Sequence, residues 1–271
     1  MAVSDHFTLN PIAHDDAWWF RAQMADGRRG KVARLVARDI VRRLLEPSPE
    51  ALECWEARRR GGPAHDEATK GVLEAYLLAD FADADNETRL KGAVVEHLWA
   101  CLAGDLDGGW GLPMHVEHEH FSVIDHGGDG LSIYDIDASG LGFRLWESKQ
   151  HDSTSKSVKA VITEASAQLK SEGAAYLARM SKPLQLNDDL RIQQLAGQIV
   201  KLWTTQDESG GVGVSVGTAA EQSLPNRPFK GLAKNFPHLP TPQHREGLVI
   251  VIPDLSGFAS DVRDEILKGI E

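Results

Sequence analysis

Two short extended segments separated by turn residues constrain the fold of this chain most. Residues 131–137 alternate apolar and polar side chains in short steps, and residues 142–146 resume the extended pattern. Between them lie Ala138, Ser139 and Gly140, which are residue types that favour turns. Alternation with a period of two predicts strands, and two strands joined by a short turn predict an antiparallel hairpin. We therefore expect a hairpin whose centre falls near Ser139.

An acid precedes the first strand of this hairpin, and a Glu-Ser-Lys sequence ends the second strand. Across a hairpin centred near Ser139, paired residue numbers sum to about 278, so Asp129 is expected opposite Lys149 and diagonal to Glu147. Glu147 and Lys149 are two positions apart and project from the same face of the strand. The hairpin is therefore predicted to bring two carboxylates and one amine together.

Two other acids, Asp135 and Asp137, lie on the first strand with the same parity as Asp129. Asp137 is next to the turn, and at about 3.3 Å per residue it lies roughly 25 to 30 Å from Lys149 along the hairpin. Distance therefore favours Asp129 as the acid that accompanies Glu147 and Lys149.

This combination of side chains is suited to metal-dependent hydrolysis of a phosphodiester. Mg²⁺ prefers oxygen ligands and keeps several waters, and it lowers the pKa of a bound water while it neutralises charge on a phosphate. A lysine beside it orients that water or stabilises the developing charge. The alternative interpretation is that Glu147 and Lys149 form only an exposed ion pair on the sheet.

Three segments resemble the PD-(D/E)xK nuclease superfamily, and within it the nuclease subunit (HamA) of Hachiman-type anti-phage defence systems and the related AbpA group. They are EHLW at residues 96–99, GDGLSI at 128–133 and LWESKQH at 145–151. The resemblance covers about residues 87 to 180, and the proline that gives the superfamily its name is absent before Asp129.

The resemblance implies a mixed α/β fold with a restriction-endonuclease-like central sheet flanked by helices. It implies a DNA endonuclease that uses Mg²⁺, with Mn²⁺ as an alternative. Asp129 and Glu147 would be the metal ligands, Lys149 the catalytic lysine, and Glu96 an acid on the preceding helix that supports a second metal or orients Lys149. The expected partner is a superfamily 2-type helicase that restrains this effector subunit. A degenerate adaptor on the same fold and an RNA nuclease stay open as alternatives.

The net charge and its distribution indicate how such a protein would bind DNA. The formal net charge is −11, whereas proteins that hold a phosphate backbone unaided usually carry a basic stripe. Residues 28–60 carry ten basic and five acidic side chains, so positive charge is concentrated there. Either a partner delivers the DNA or this basic segment contacts the phosphates; a plain solvated helix face is the third interpretation.

Periodicity predicts a helical N-terminal region, residues 1–82, and the resemblance implies that residues 83–271 form a nuclease-like domain. Helices are predicted at 32–45, 50–59, 66–80, 87–103, 153–180, 188–205 and 260–270, strands at 114–124, 131–137, 142–148, 212–217 and 248–252, and a long loop at 223–242. Trp18, Trp19 and Phe20 are predicted to pack in the core.

Several other functions find no support in the sequence. No phosphate-binding loop motif occurs, so the chain is not expected to power unwinding itself. His118 and His120 project from one face of the predicted strand and His115 projects from the other. That strand alone therefore does not form a three-histidine zinc site. Cys54 and Cys101 lack metal spacing and are expected to be free thiols. No apolar run is long enough to span a bilayer, so we expect a soluble cytoplasmic protein.

Overall fold

The structure, a computed structural model, describes residues 2–81, 87–118, 129–136, 140–151, 156–219 and 227–271. Seven strands form one mixed sheet flanked by helices, so the prediction of a mixed α/β fold is confirmed. The strands are β1 (Phe7–Ala13), β2 (Trp18–Met24), β3 (His115–His118), β4 (Gly130–Asp135), β5 (Leu141–His151), β6 (Gly210–Thr218) and β7 (Arg245–Val251).

The order of the strands across the sheet is β1-β2-β7-β6-β5-β4-β3. The four central strands β2, β7, β6 and β5 run parallel, and antiparallel pairs close both sides. Every residue of β6 and β7 is buried, as expected of parallel strands that helices cover on both faces. The carboxyl ends of the parallel strands therefore meet at one edge of the sheet, where open α/β sheets usually bind ligands.

The helices pack in two layers on the two faces of the sheet. They are α1 (Arg29–Leu44), α2 (Pro49–Arg59), α3 (Glu67–Phe81), α4 (Glu87–Ala103), α5 (Val158–Leu184), α6 (Leu190–Ala196), α7 (Ile199–Thr204), α8 (Lys230–Asn235) and α9 (Leu255–Leu267). Helices α1 to α4 and α9 share one core with Trp146 of β5. Helices α5 to α8 share the other core with Leu145, the neighbouring residue on β5, because successive side chains alternate between faces.

Short polar side chains define where several helices begin. Ser157 accepts a hydrogen bond from the backbone N–H of Ala160 at 3.2 Å and caps α5. Asp254 accepts from the N–H of Gly257 at 3.1 Å and caps α9, while Pro49 occupies the first turn of α2, where its missing N–H is not needed. These local contacts fix where each helix leaves the sheet.

The helical N-terminal region is only partly as predicted. Helices α1, α2 and α3 are confirmed, but residues 7–24 form β1 and β2, so the description of this region as helical is wrong for that part. The aromatic run at residues 18–20 packs in the core as expected, but as part of a strand. Because β2 pairs with β7 and α1 packs on α9, the sheet and the core both cross the predicted boundary at 82 and 83.

Other predicted elements differ in length. The helix expected at 188–205 is two helices, α6 and α7, and the loop expected at 223–242 contains α8 and a 3-10 turn at Pro242–His244. Strand β3 covers His115–His118 of the strand predicted at 114–124, and residues 119–128 lie outside the described part of the chain. Within the described ranges, no helix is long and apolar enough to cross a membrane. Both cysteines are free, as predicted.

Two tryptophans between α4 and the sheet leave no room for a side chain at a neighbouring glycine. The rings of Trp99 and Trp146 lie 5.6 Å apart, and a Cβ added at Gly213 would lie 2.2 Å from the ring of Trp146. We expect Gly213→Ala to lower the free energy of unfolding by about 1–3 kcal/mol, because the buried ring must move. Denaturant unfolding measures this change.

Gly71 on α3 provides the control, since a Cβ there meets no atom within 4 Å. Gly71→Ala is expected to stabilise the protein by roughly 0.5–1 kcal/mol through helix propensity. Equal effects of the two substitutions would contradict the close packing assigned to Gly213.

Candidate functional site

The hairpin is present, but its register differs from the prediction by two residues. Gly130 pairs with Trp146, and the N–H of Ile136 donates to the carbonyl of Gly140 at 2.9 Å. Ile136 therefore closes the turn instead of extending the strand, and Gly140 has a positive φ of 92° that glycine accommodates. The centre of the hairpin is one residue earlier than predicted, so the expected pairing of Asp129 with Lys149 is wrong and Asp129 lies opposite Glu147.

The structure brings Asp129, Glu147 and Lys149 together at the carboxyl end of β5. A register shift of two residues preserves alternation, so the three side chains still share the face covered by α5. The N–H of Asp129 donates to the carbonyl of Trp146 at 3.0 Å, and the Asp129 carboxylate accepts a hydrogen bond from the N–H of Ser148. The Lys149 ammonium donates to the Glu147 carboxylate.

These groups differ sharply in exposure. The Glu147 side chain is completely buried, whereas that of Lys149 is 36% exposed. One carboxylate oxygen of Glu147, Oε2, is buried without a hydrogen-bond partner among the described residues. The arrangement therefore encloses an unsatisfied acceptor and leaves the amine within reach of solvent.

The pKa values follow from this enclosure. Burial, and then the neighbouring Asp129 carboxylate, raises the pKa of Glu147 to about 9 against the opposing charge of Lys149. Burial likewise raises the pKa of Asp129 to about 6, although Lys149 and the Ser148 N–H favour its ionised form. Burial lowers the pKa of Lys149, but the Glu147 and Asp129 carboxylates outweigh burial and raise it. Lys149 is thus charged at neutral pH, while Glu147 holds a proton.

A divalent cation fits this pair of acids. It would neutralise two adjacent carboxylates and satisfy the buried Oε2 atom of Glu147. The described part of the chain has no cluster of three or more His, Cys, Asp or Glu side chains that could hold a metal. Mg²⁺ is compatible with two carboxylates, since it commonly takes its remaining ligands from water and substrate phosphate.

Glu96 lies within electrostatic range of Lys149. It lies on α4, which packs with Trp99 against the face of the sheet opposite to that of Glu147. Its carboxylate still helps to raise the pKa of Lys149, after the larger effects of Glu147 and Asp129. A role for Glu96 in orienting Lys149 therefore stays a prediction that this electrostatic influence supports, whereas nothing places it as a ligand of the same ion.

Two residues of α5 that were not predicted as functional residues approach the site. Glu172 raises the pKa of Glu147, and Glu147 in turn raises the pKa of Tyr176 after the larger effects of burial and of Glu172. The Tyr176 hydroxyl donates to the Glu172 carboxylate and accepts from the Gln168 amide at 2.9 Å. The sequence indicates that Tyr176 faces the sheet, because the apolar stripe of α5 that includes Leu169 continues to Tyr176 at helical spacing.

The other candidate residues lie elsewhere. His151 is buried, with Nε2 2.7 Å from the carbonyl of Lys156 and Nδ1 3.4 Å from the Thr218 hydroxyl, so both nitrogens anchor the end of β5. The Asp135 carboxylate contacts Arg191 at 2.9 Å near the turn end of the hairpin. Asp137, His120 and His126 lie outside the described residues.

The basic segment at residues 28–60 is partly neutralised by ion pairs within the protein. Five of its ten basic side chains form them, namely Arg29 with Asp254 and Asp261, Arg38 and Arg60 with Glu56, Arg43 with Asp39, and Arg59 with Glu265. These pairs agree with the interpretation of the segment as a solvated helix face. They reduce the charge that the segment offers to a phosphate backbone.

The raised pKa of Glu147 predicts how stability depends on pH without metal. The folded protein keeps a proton that the unfolded chain releases between about pH 4.5 and 9, so stability falls as pH rises through that window. In EDTA at pH 8, Glu147→Gln is therefore expected to raise the Tm, by about 2–4 °C for each 1 kcal/mol gained. At pH 4 the two proteins should melt alike. Thermal unfolding from pH 4 to 9 measures the difference.

Glu164→Gln is the matched control, because the Glu164 side chain is 60% exposed and pairs with the exposed Lys156. Its free energy of unfolding is expected to stay within about 1 kcal/mol of that of the unchanged protein at every pH. If Glu147→Gln melts below the parent at pH 8 in EDTA, the buried, protonated state assigned to Glu147 is wrong.

Comparison of the sequence with models of known protein families and with curated proteins found no match. The functional interpretation of the site therefore depends on its geometry and on the resemblance carried by its motifs.

Proposed function

We propose that this chain is a metal-dependent nuclease with a restriction-endonuclease-like fold, which hydrolyses phosphodiester bonds of DNA. The observation that carries the proposal is the buried Glu147, whose Oε2 atom has no hydrogen-bond partner in the described part of the chain while Asp129 and Lys149 act on it. A protein gains no stability from two adjacent buried carboxylates, since each raises the free energy of ionising the other. Such a pair is typical of sites where function requires the charges.

Each residue has a distinct task in this proposal. Asp129 and Glu147 would hold Mg²⁺, with Mn²⁺ as a substitute. When bound, the ion would lower the pKa of a water and offset phosphate charge. The N–H of Ser148 fixes the Asp129 carboxylate, and the hydrogen bond from Lys149 fixes that of Glu147. The ammonium of Lys149, partly exposed, is free to turn toward a scissile phosphate and stabilise negative charge that develops there.

The proposed biological setting is that of an effector subunit in a bacterial anti-phage defence system. The motif resemblance supports it, together with a superfamily 2-type helicase partner that restrains the nuclease and delivers DNA. The net charge of −11 and the paired arginines of residues 28–60 are consistent with a nuclease that has limited access to DNA when alone.

Cleavage of supercoiled plasmid tests the proposed activity. The protein, alone and with the helicase encoded beside it, is incubated with plasmid and Mg²⁺, and a parallel reaction contains EDTA. We expect nicked or linear product with Mg²⁺ and none with EDTA. Cleavage that continues in EDTA would exclude the metal-dependent reaction, and a labelled RNA substrate in the same assay distinguishes an RNA nuclease.

One observation favours a second candidate, a catalytically degenerate adaptor on the same fold. Among the described residues no metal cluster of three side chains occurs, and the described part of the site supplies two carboxylates, Asp129 and Glu147. An adaptor of this kind would cut neither DNA nor RNA with or without the helicase, and Mg²⁺ would leave its Tm unchanged. The nuclease would be stabilised by Mg²⁺.

A further inference from the structure

The helices that cover the site carry a basic surface that the overall charge conceals. Helices α5, α7 and α8 together hold seven basic and two acidic side chains, in a chain with a net charge of −11. These helices pack on the same face of the sheet as Glu147. The layer nearest the candidate site is therefore positive, while the rest of the protein is strongly negative.

The lysines of this layer differ from the other lysines in being unpaired. The six involved are all exposed and form no ion pair or hydrogen bond among the described residues: Lys159, Lys170 and Lys182 of α5, Lys201 of α7, and Lys230 and Lys234 of α8. Lysines outside the layer have partners, such as Lys70 with Glu74 and Lys268 with Glu265. Within the described part of the chain, these lysines leave positive charge on one layer that no ion pair neutralises, and an external anion could do so.

The contacts between α5 and α8 place four of these lysines on two helices that pack side by side. Gly231 of α8 packs on Thr163 of α5, since a Cβ there would lie 2.8 Å from the Thr163 hydroxyl. One helical turn further on, the Asn235 amide donates to the Ser166 hydroxyl. Lys159 and Lys230 therefore lie near the carboxyl edge of the sheet, and Lys170 and Lys234 follow them along the paired helices.

A groove of about 440 Å³ continues the surface between α5, α7 and the residues after α8. It is lined by Lys170, Ser171, Trp203, Asn235 and His238, among others. The pKa of His238 is lowered by burial and then by the charges of Lys170 and Arg245. Lys170 brings a positive charge to the groove, and Gln206 and Asn235 add side-chain amides, which suits an oxyanion of a phosphate backbone.

We propose that this lysine surface of α5, α7 and α8 binds the phosphate backbone of the nucleic acid and guides it to the edge of the sheet that holds Lys149. This inference rests on the proposed nuclease function and adds the substrate-binding surface. Helix surfaces with single lysines usually face only water. Here, six lysines without an ion pair among the described residues, an excess of basic over acidic side chains and a polar groove occur on the same layer as the site.

Binding of a fluorescent 20-base-pair DNA duplex in EDTA tests this assignment apart from catalysis. The comparison is between the unchanged protein, the triple variant Lys159→Gln, Lys170→Gln and Lys230→Gln, and a matched triple variant Arg28→Gln, Arg34→Gln and Arg42→Gln. The three arginines are exposed and lie at α1 in the opposite layer, so both variants lose the same charge.

The lysine variant is expected to bind at least about 10-fold more weakly, and the slope of log affinity against log salt should fall by about 2 to 3 as three phosphate contacts are lost. The arginine variant should stay within about 2-fold of the unchanged protein, and unchanged Tm values confirm that both variants fold. Equal losses in both variants, no loss in either, or no DNA binding by the unchanged protein at 50 mM salt overturns the inference.

Cleavage measured separately keeps the two proposals distinct. If the lysine variant loses DNA binding and the unchanged protein never cuts, the binding surface stands and the nuclease function fails. If the unchanged protein cuts and the lysine variant binds DNA normally, the surface assignment alone is wrong. Binding of an acidic polypeptide such as polyglutamate through these lysines, without DNA binding, would assign the surface to an acidic protein and overturn the inference.

Discussion

Replacing Lys149 by Met is expected to lower the rate of metal-dependent DNA cleavage by about 10²- to 10⁴-fold. The ammonium of Lys149 donates to Glu147 and is the one cation shown in direct contact with the acid pair in the described structure. Its loss removes the donor that would stabilise charge on the phosphate. It also removes a charge that lowers the pKa of Glu147, so the ionised carboxylate becomes rarer at neutral pH.

Quantitative cleavage of plasmid across a range of pH measures both effects. The residual activity of Lys149→Met should rise toward higher pH more steeply than that of the unchanged protein, because Glu147 ionises later. Lys156→Met is the matched control, since Lys156 is exposed and pairs with Glu164 beyond the end of β5. Its activity should stay within about 2-fold of the unchanged protein. Equal cleavage by Lys149→Met and Lys156→Met would remove Lys149 from the site.

The second large effect is expected from a buried ion pair on the other face of the sheet. Arg144 of β5 and Glu246 of β7 are both buried, and their charged atoms lie 2.7 Å apart. The guanidinium lies 4.7 Å from the ring centre of Trp110 and 4.6 Å from that of Tyr134. Arg144→Met should lower the free energy of unfolding by about 3–5 kcal/mol, because Glu246 is left as an uncompensated buried charge.

Chemical denaturation of single and double variants separates this cause from lost packing. Arg144→Met with Glu246→Gln should recover part of the loss, and the deficit of the single variant should shrink at pH 5, where burial already favours protonated Glu246. Arg191→Met is the control, since its ion pairs with Asp135 and Asp189 are exposed and contribute about 1 kcal/mol or less. If the double variant is no more stable than Arg144→Met, an unpaired Glu246 is not the cause.

Local hydrophobic patterns in the sequence predicted the hairpin and the face of the sheet that holds the site. Alternation predicted the hairpin, and a spacing of two residues predicted that Glu147 and Lys149 share one face of the strand. Both predictions are correct although the predicted register is wrong. The error arose at Ile136, an apolar residue that fits a strand by pattern but closes the turn with Gly140. Turn closure depends on the geometry of a few residues and is not visible in hydrophobic alternation.

Contacts between distant segments could not be predicted in the same way. β2 joins the sheet only because β7 pairs with it, more than 220 residues later in the chain. Arg144 interrupts an apolar strand, which is a signal of a buried charge, but its partner Glu246 lies two strands away across β6. Glu172 likewise reaches the site only through the packing of α5 on β5.

Binding of Mn²⁺ measured by isothermal titration calorimetry at pH 8 tests the central claim most directly. The claim is that Asp129 and Glu147 form a divalent-cation site in which Glu147 gives up its proton. We expect binding to the unchanged protein with release of protons, seen as a heat that changes with the ionisation enthalpy of the buffer, and loss of binding in Asp129→Asn and Glu147→Gln. The same affinity in all three proteins, or no binding to the unchanged protein, would contradict the account.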